Sequence, residues 1–385
     1  MVTVDTYFKA DEYQRRLTLI RAEMQSRGLA AMVVSAPENI FYASGYHTKA
    51  VFTFQFLVLF TDRPSVLFTR QMEISNAERA LKLGHIGEFS VFQDDEDPME
   101  AAVGFLAKLL SSGMKVGIEL AAWAMSAKRA QDLTSSLPAI EWTDASILID
   151  RIRLVKSAAE IDILREAGKI GDRIADSACA AVAAGKSEND IAQVVMSEMV
   201  LSGCEYPGSW PNVMAGTRTG LIHAAWGSEK ILENDHVTME ITGVKARYHS
   251  PSWRTVFTGR PLQKLVDTAE ILTLAHDAAV KAVEPGRPLN AINDAAQAVL
   301  AKHKLECAVA KRSGYSLGIG FPPSWGAQWQ IGLNSIVDDP LEIGMAFHIV
   351  NVGIFDDGRA LAVGCTVALT ENGPERLTRT GIHQA

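Results

Sequence analysis

The chain has 385 residues, 48% of them hydrophobic and 21% charged, and carries a net charge of −8. That length exceeds what one ordinary core organises and predicts two domains. The acidic balance, with no Lys/Arg stripe interleaved with aromatics, argues against a nucleic-acid binder. The four cysteines (Cys179, Cys204, Cys307, Cys365) are scattered without a CxxC pair, which argues against a zinc knuckle or a disulfide framework. The opening MVTVDTYFKADEYQRR lacks a basic segment followed by an apolar run, and no uncharged apolar stretch reaches membrane-spanning length. The expectation is a cytoplasmic protein with no membrane partner.

In chain order, Tyr13, Leu17, Ile20 and Met24 stand at helical spacing and predict a helix over 11–27, with Gly28 as its stop. Residues 30–35 read as a short buried strand. The segment NIFYASGY, 39–46, carries turn chemistry and two tyrosines and reads as a loop. Strands at 56–61 and 65–69 pair across the Asp62–Pro64 turn. Helices around 71–83 and 99–112 and a strand at 116–119 continue the alternation. Residues 1–150 thus read as an α/β domain, with DRIRLVKS, 150–157, at the boundary.

Ser157 and Glu160 form a capping box that opens a long helix over about 157–184. A weak internal repeat follows. The first helix ends at Ala184-Gly185-Lys186 and a second begins SENDIAQVVMSEMV. A later helix over about 263–284 ends at Pro285-Gly286-Arg287, and its successor reads PLNAINDAAQAVL. Gly185 and Gly286 stand 101 positions apart, and Ile191 and Ile292 keep that offset. Each helix pair is followed by strand-rich segments. Two helix–helix–sheet halves over 151–385 therefore predict a pseudo-twofold α+β domain with a central cleft.

The stretch Val237–Gly259 organises that domain. Val237, Met239 and Ile241 point one way, and Thr238, Glu240 and Thr242 the other. The next extended run carries Tyr248, His249, Trp253 and Arg254, and Pro251 within it suggests an edge, a bulge or a site. A carboxylate opposite aromatic and basic residues makes either a catalytic floor or a solvated strand face.

With these halves and the RLVKS..EI linker, the chain resembles the "pita-bread" family of methionine aminopeptidase, prolidase and creatinase over essentially its whole length. The resemblance implies a creatinase-type N-terminal domain followed by a catalytic pita-bread domain. In the family's metallopeptidases two metal ions are held by two aspartates, a histidine and two glutamates. Here those positions carry Glu240, Pro251, Tyr315, Val350 and Cys365. Hard divalent ions take oxygen ligands, and a dinuclear site needs bridging carboxylates. One carboxylate among five positions cannot build one, so the expectation is an enzyme without metal or other cofactor.

Among metal-free relatives, creatinase has a histidine that corresponds to His223 in LIHAAWG. Its two active-site glutamates, however, fall on Trp253 and Val350. The chain is more similar to the ectoine hydrolases, on longer strings: Glu240 itself, an RYH.P..RTVF.G.P run from Arg247 to Pro261, a GY..G...PP.WG run from Gly314 to Gly326, and a GM.FH run from Gly344 to His348. Ser324, Ala327, Ala362 and Cys365 stand where those hydrolases carry acids. Buried carboxylates are the usual partners of an amidinium, so the resemblance implies retained chemistry and altered recognition.

The resemblance implies hydrolysis of a C–N bond in a small cyclic amidine or related molecule. Glu240 would be the nucleophile or general base, with His223 and His348 moving protons. Tyr46, His249, Trp253, Tyr315, Phe321 and Trp325 are candidates to bind substrate. Each has a plainer alternative: His223, His249 and His348 as hydrogen-bonded core histidines, Tyr46 as a loop residue, and Trp253, Phe321, Trp325 and Trp329 as core rather than an aromatic box. Cys365 lacks a charge-stabilising partner and reads as inert. A homodimer is expected, with the N-terminal domain of one subunit contributing to its partner's site. A creatinase-like amidinohydrolase, a Xaa-Pro metallopeptidase and a non-catalytic binding member of the fold are the alternatives.

Overall fold

A computed structural model describes residues 7–326 and 329–385, and Ala327 lies outside them. The chain divides into two compact units, Met1–Arg153 and Leu154–Ala385.

The first unit begins with α1 (Ala10–Ser26), which buries Tyr13, Leu17, Ile20 and Met24, and Gly28 follows in the left-handed region at φ 67°. Strand β1 (Ala31–Val34) leads into α2 (Pro37–Ser44). The segment expected to be a loop is therefore helical as far as Ser44. Every residue of α2 is buried, so no polar face gave it a helical period. Pro37 presets the first turn, and Gly45, at φ 65°, ends the helix. The unit continues through β2 (Phe56–Phe60), β3 (Val66–Arg70), α3 (Ile74–Lys82), β4 (Glu88–Phe92), α4 (Pro98–Leu109), β5 (Lys115–Ile118), α5 (Ala127–Ser136), β6 (Glu141–Asp144) and α6 (Leu148–Leu154). The six strands run in the order β4-β3-β2-β1-β5-β6. Phe56, Phe68 and Phe92 stack at the centre of the core.

The second unit repeats one plan. Helices α7 (Ala158–Ala181) and α8 (Glu188–Leu201) precede β7 (Asn212–Ala215), β8 (His236–Lys245) and β9 (Tyr248–Phe257). Helices α9 (Gln263–Lys281) and α10 (Asn290–Leu300) precede β10 (Ala308–Val309), β11 (Gly314–Ser316), β12 (Ala346–Ile354) and β13 (Ala360–Thr370), with β14 (Gly373–Arg376) and β15 (Gly381–Gln384) closing the chain. The repeat extends to single hydrogen bonds. Gly185 N–H donates to Ile231 O and Ile231 N–H to Lys186 O, while Gly286 N–H donates to Leu341 O and Leu341 N–H to Arg287 O.

Nine strands form one sheet with the path β10-β12-β13-β9-β8-β7. Val213, Met239 and Ile241 meet the α7–α8 pair in one apolar cluster. Ile349, Cys365 and Val367 meet α9 and α10 in another. Alternation then turns the intervening residues of the same strands to the opposite face, which no helix of either pair covers. Pro251 is neither on an edge nor in a bulge: it pairs with Thr242 inside the sheet, and its carbonyl accepts from the Thr366 and Thr378 hydroxyls. No helix among the described residues is long and apolar enough to cross a membrane.

Helix α7 approaches β8 so closely that a side chain fits on neither. A Cβ on Gly243 would lie 1.9 Å from Ala167 O, and one on Gly171 2.8 Å from Gly243 N. Gly104, on α4, has nothing within 4 Å of the equivalent point. Gly243→Ala is expected to lose at least about 2 kcal/mol of stability through overpacking. Gly104→Ala should gain about 0.5–1 kcal/mol from helix propensity alone. Denaturation midpoints of the two variants check both signs.

Candidate active site

Pairing register builds the site. Asn212 stands opposite Glu240, Glu240 opposite Trp253, Trp253 opposite Gly364, and Gly364 opposite Val350. These five residues from β7, β8, β9, β13 and β12 make one row across the face away from the helices. A cleft of about 600 Å³ opens over the row and is lined by Glu240, Trp253, Tyr315, Trp325 and His223 among others. Its floor is apolar beside the carboxylate: Met214, Trp253 and Ala362 pack together, with Ile222, Val350 and Val352 against them.

Glu240 is 4% exposed. Its Oε2 accepts from Asn212 Nδ2 at 3.1 Å, and its Oε1 lies 3.3 Å from His348 Nε2. That separation suits an ion pair, but the ring is turned out of hydrogen-bond geometry, and neither of its nitrogens has a hydrogen-bond partner. His348 is wholly buried. Leaving a buried imidazole unbonded is costly, and Glu240 is the charged group within reach. Tyr315 stands opposite His348 in the β11–β12 ladder, with the two rings edge to face at 5.5 Å. Trp325 Nε1–H donates to the Tyr315 hydroxyl at 2.9 Å. Burial first, and the charge of Glu240 second, push the Tyr315 phenol far above its ordinary pKa. The phenol is therefore neutral and suited to donating its proton in a hydrogen bond. The Glu240 carboxylate and the neutral Tyr315 phenol both line the cleft, and the His348 imidazole, buried behind them, touches the carboxylate and faces the Tyr315 ring.

At the mouth of the cleft stand Lys311 and Arg312. The Arg312 guanidinium is 5.6 Å from the centre of the Tyr315 ring. Exposed His223 reaches the cleft from the segment that follows β7, beyond a 3-10 turn at Gly216–Gly220. Asn212, Lys311 and Arg312 were not singled out in the sequence. Asn212 has no signal there, since its role depends on which residue of β8 it faces. The KR pair directly precedes the SGYS string and was a usable signal.

Several expected residues lie elsewhere. His249 is wholly buried; its Nδ1 donates to Arg247 O at 2.8 Å and its Nε2 accepts from Gly208 N–H at 2.9 Å. Both ring nitrogens are thus committed to backbone, and His249 holds the chain before β7 rather than a substrate. Phe321 is 2% exposed and lies against the Arg247 guanidinium, 4.9 Å from ring centre to cation, so it is no wall of the cleft. Trp329 packs against the apolar cluster of α9 and α10. Of the proposed aromatic box only Trp253 and Trp325 line the cleft. Tyr46 is 3% exposed, and its hydroxyl bonds Gln55 Oε1 at 3.0 Å and Thr69 Oγ1 at 3.1 Å inside the first unit. Cys365 faces the helices, its thiol pushed up to about 12 by burial. The β13 residues on the cleft face are Ala362 and Gly364. Among the described residues, no three His, Cys, Asp or Glu side chains are grouped to hold a metal ion.

Burial, and next the Arg247 charge, hold the His249 imidazole well below its ordinary pKa, and burial lowers His276 as well. Below about pH 6.5 the unfolded chain takes up these protons while the folded chain does not. Stability therefore falls as pH drops through that value, by about 1.4 kcal/mol per unit for each ring that stays neutral. Nitrogen-15 spectra should show His249 as the neutral Nδ1–H tautomer at pH 5.5; a charged ring there would refute the assignment.

Comparison with known proteins bears on what such a cleft belongs to. Residues 16–155 match the creatinase/prolidase N-terminal domain, and residues 162–371 match metallopeptidase family M24. The chain is 29% identical over 397 residues to the ectoine hydrolase of Halomonas elongata, covering 98% of each. It is 27% identical over 374 residues to the probable dipeptidase PepE of Mycobacterium tuberculosis, covering 95% of this chain and 94% of that one. The solved prolidase of Thermococcus sibiricus superposes with a TM-score of 0.84 at 21% identity, over 97% of this chain and 99% of that one, which establishes the fold. The chain belongs to metallopeptidase family M24, in the two-domain form headed by a creatinase/prolidase N-terminal domain.

Proposed function

We propose that the protein is a metal-independent hydrolase of a C–N bond in a small amidine or related cyclic molecule, with ring opening of the ectoine type as the nearest model. One observation carries this reading: the cleft's acidic side chain is a single carboxylate, Glu240, set between Asn212 and the unbonded imidazole of His348. The metal pair implied by the family name does not fit these donors. Dinuclear M24-type chemistry needs several bridging oxygen ligands, whereas Trp253, Val350 and Gly364 share Glu240's row. The full-length similarity to an ectoine hydrolase supports the same reading.

In the proposed reaction Glu240 attacks the amidine carbon, forming C–O as C–N breaks, and water then cleaves the resulting ester-like adduct and frees the carboxylate. Alternatively, Glu240 takes the proton of the water that attacks, so that C–O forms directly from water as C–N breaks. Both routes need the ionised carboxylate. The departing nitrogen requires a proton, which imidazole supplies near neutrality. His348 stands at Glu240, and His223 enters the cleft from the segment between β7 and β8. Tyr315 donates to the developing charge, and Trp253 and Trp325 supply flat apolar surface. Lys311 and Arg312 favour an anionic end on the substrate, turned toward the mouth. The same reading makes the protein a homodimer whose N-terminal unit completes the partner's cleft. Trp210 and Leu221, 61% and 56% exposed and next in sequence to cleft residues Ser209 and Ile222, suit such a cover. Tyr46, bonded within its own unit, is left out of that role.

Glu240→Gln keeps the volume and removes the charge. It should lower kcat about a thousandfold, about 4 kcal/mol of barrier, with ligand binding by calorimetry within a few-fold and the melting midpoint little changed. Ectoine belongs among the compounds tried. Turnover within tenfold of wild type would take Glu240 out of the mechanism.

A peptidase of the same fold would behave differently toward chelators. Dialysis against EDTA should leave activity unchanged, and elemental analysis should find no stoichiometric manganese, cobalt or zinc. Two ions per chain, with activity lost on their removal, would favour the peptidase reading that the dipeptidase relatives suggest.

A further inference from the structure

The segment from Ala215 to Gly227 carries Ile222 and His223 to the cleft, and both its ends close on one side chain. Glu188, in the first turn of α8, is wholly buried. Its Oε1 accepts from Ala215 N–H at 2.9 Å, and its Oε2 from Gly227 N–H at 2.8 Å. Arg218, from within the segment, places Nε 3.0 and 3.2 Å from the two oxygens and donates from Nη2 to Ala225 O at 2.8 Å. A second anchor fixes the 3-10 turn. Thr219 Oγ1 accepts from Ala360 N–H and donates to Gly216 O, both at 2.7 Å, and Gly220 N–H donates to Gly358 O at 3.0 Å.

Burying a carboxylate costs several kcal/mol unless donors satisfy it, and here those donors belong to the segment. The segment that the carboxylate secures packs Ile222 and Ala224 on the cleft floor and Trp226 on the α7–α8 cluster, but its tip is open: Leu221 is 56% exposed, and His223 beside it is exposed too. The content of the segment that bears on function is the pair of side chains it presents to the cleft.

We propose that Glu188 and Arg218 are positioning residues for His223: an ion-pair clasp, buried at Glu188 and partly exposed at Arg218, that closes the segment into a rigid frame and holds the imidazole over the cleft. The role assigned to the imidazole rests on the C–N hydrolase reading; the clasp itself rests on the hydrogen bonds. Removing the guanidinium leaves Glu188 with its two backbone donors but unties the middle of the segment. Arg218 is partly exposed, with 29% of its side chain accessible, so Arg218→Gln can be tested without emptying a core site.

The test uses the full chain and three independent readouts. Hydrogen exchange followed by mass spectrometry should show amides 221–226 opening at least about tenfold faster in Arg218→Gln, with exchange in β8 and β12 unchanged. Arg218→Lys, which keeps the charge, should fall between. In a histidine-labelled sample the His223 ring signal, assigned by its loss in His223→Asn, should broaden or move while that of His348 does not. On a compound that the wild type turns over, Arg218→Gln should lower kcat about tenfold with KM within about twofold. In the His223→Asn background it should lower kcat no further, since residues acting through one another are not additive. Wild-type exchange and an unmoved His223 signal in Arg218→Gln would overturn the clasp, as would a full tenfold loss in the His223→Asn background. Wild-type turnover in His223→Asn would instead remove the catalytic reading of His223, and the exchange result would still decide the clasp. Glu188→Gln, if it folds, must reproduce the loosening.

Discussion

The register of one sheet is the constraint on which this protein depends. Asn212, Glu240, Trp253, Gly364 and Val350 come from five strands in two halves of the chain, and they form a row because each stands opposite the next. A slip of one residue in β8 would turn Glu240 toward α7 and bring Met239 or Ile241 to the cleft. Such a slip would bury a charge among apolar side chains, so the hydrophobic pattern that builds the core also aims the carboxylate. The close contact of α7 with β8 at Gly171 and Gly243 adds a steric reason for the same register.

Charge is managed differently on the two faces. On the helix side Arg254, almost wholly buried, is matched by Asp172 at 2.9 Å. On the cleft side Glu240 has one amide and one imidazole, and His348 has no hydrogen-bond partner. The Arg254–Asp172 pair is satisfied in the manner of structural ion pairs, whereas His348 beside Glu240 leaves bonding capacity unspent. Polar groups with unspent capacity beside a cleft are where substrate polarity is expected to be met.

Histidine illustrates how little residue type alone decides. His223, His249 and His348 all lie close to motifs of the same family resemblance. His249 has both nitrogens committed to backbone within a turn where Ala246 and Arg247 take positive φ, with Glu205 accepting their N–H groups. His348 has neither nitrogen committed, and His223 sits exposed at the cleft on a segment tied down elsewhere. Three histidines from one set of motifs thus occupy three different environments.

Much of the architecture was legible in the sequence because it rests on local periods. The Ser157–Glu160 capping box opens α7 as expected, the repeat offset from Gly185 to Gly286 recurs as matched turns, and the alternation around Glu240 sets its strand face. Helix α2 escaped because every side of it is buried, which erases the period. The aromatic box and the place of His249 escaped because a side chain's neighbours are set by strands and loops remote in sequence. For the same reason Cys365 was paired with a cleft position that Gly364 occupies: its side depends on phase within β13, which an apolar run of small residues does not display. The sequence by itself determined the two-domain plan, the repeated halves and the face on which Glu240 stands, since propensity, capping and period are properties of neighbouring residues. Only the tertiary structure decided that Asn212 and His348 meet that carboxylate, that Arg312 stands at the mouth and that Glu188 clasps the His223 segment, because those contacts exist only once strand order and register are complete.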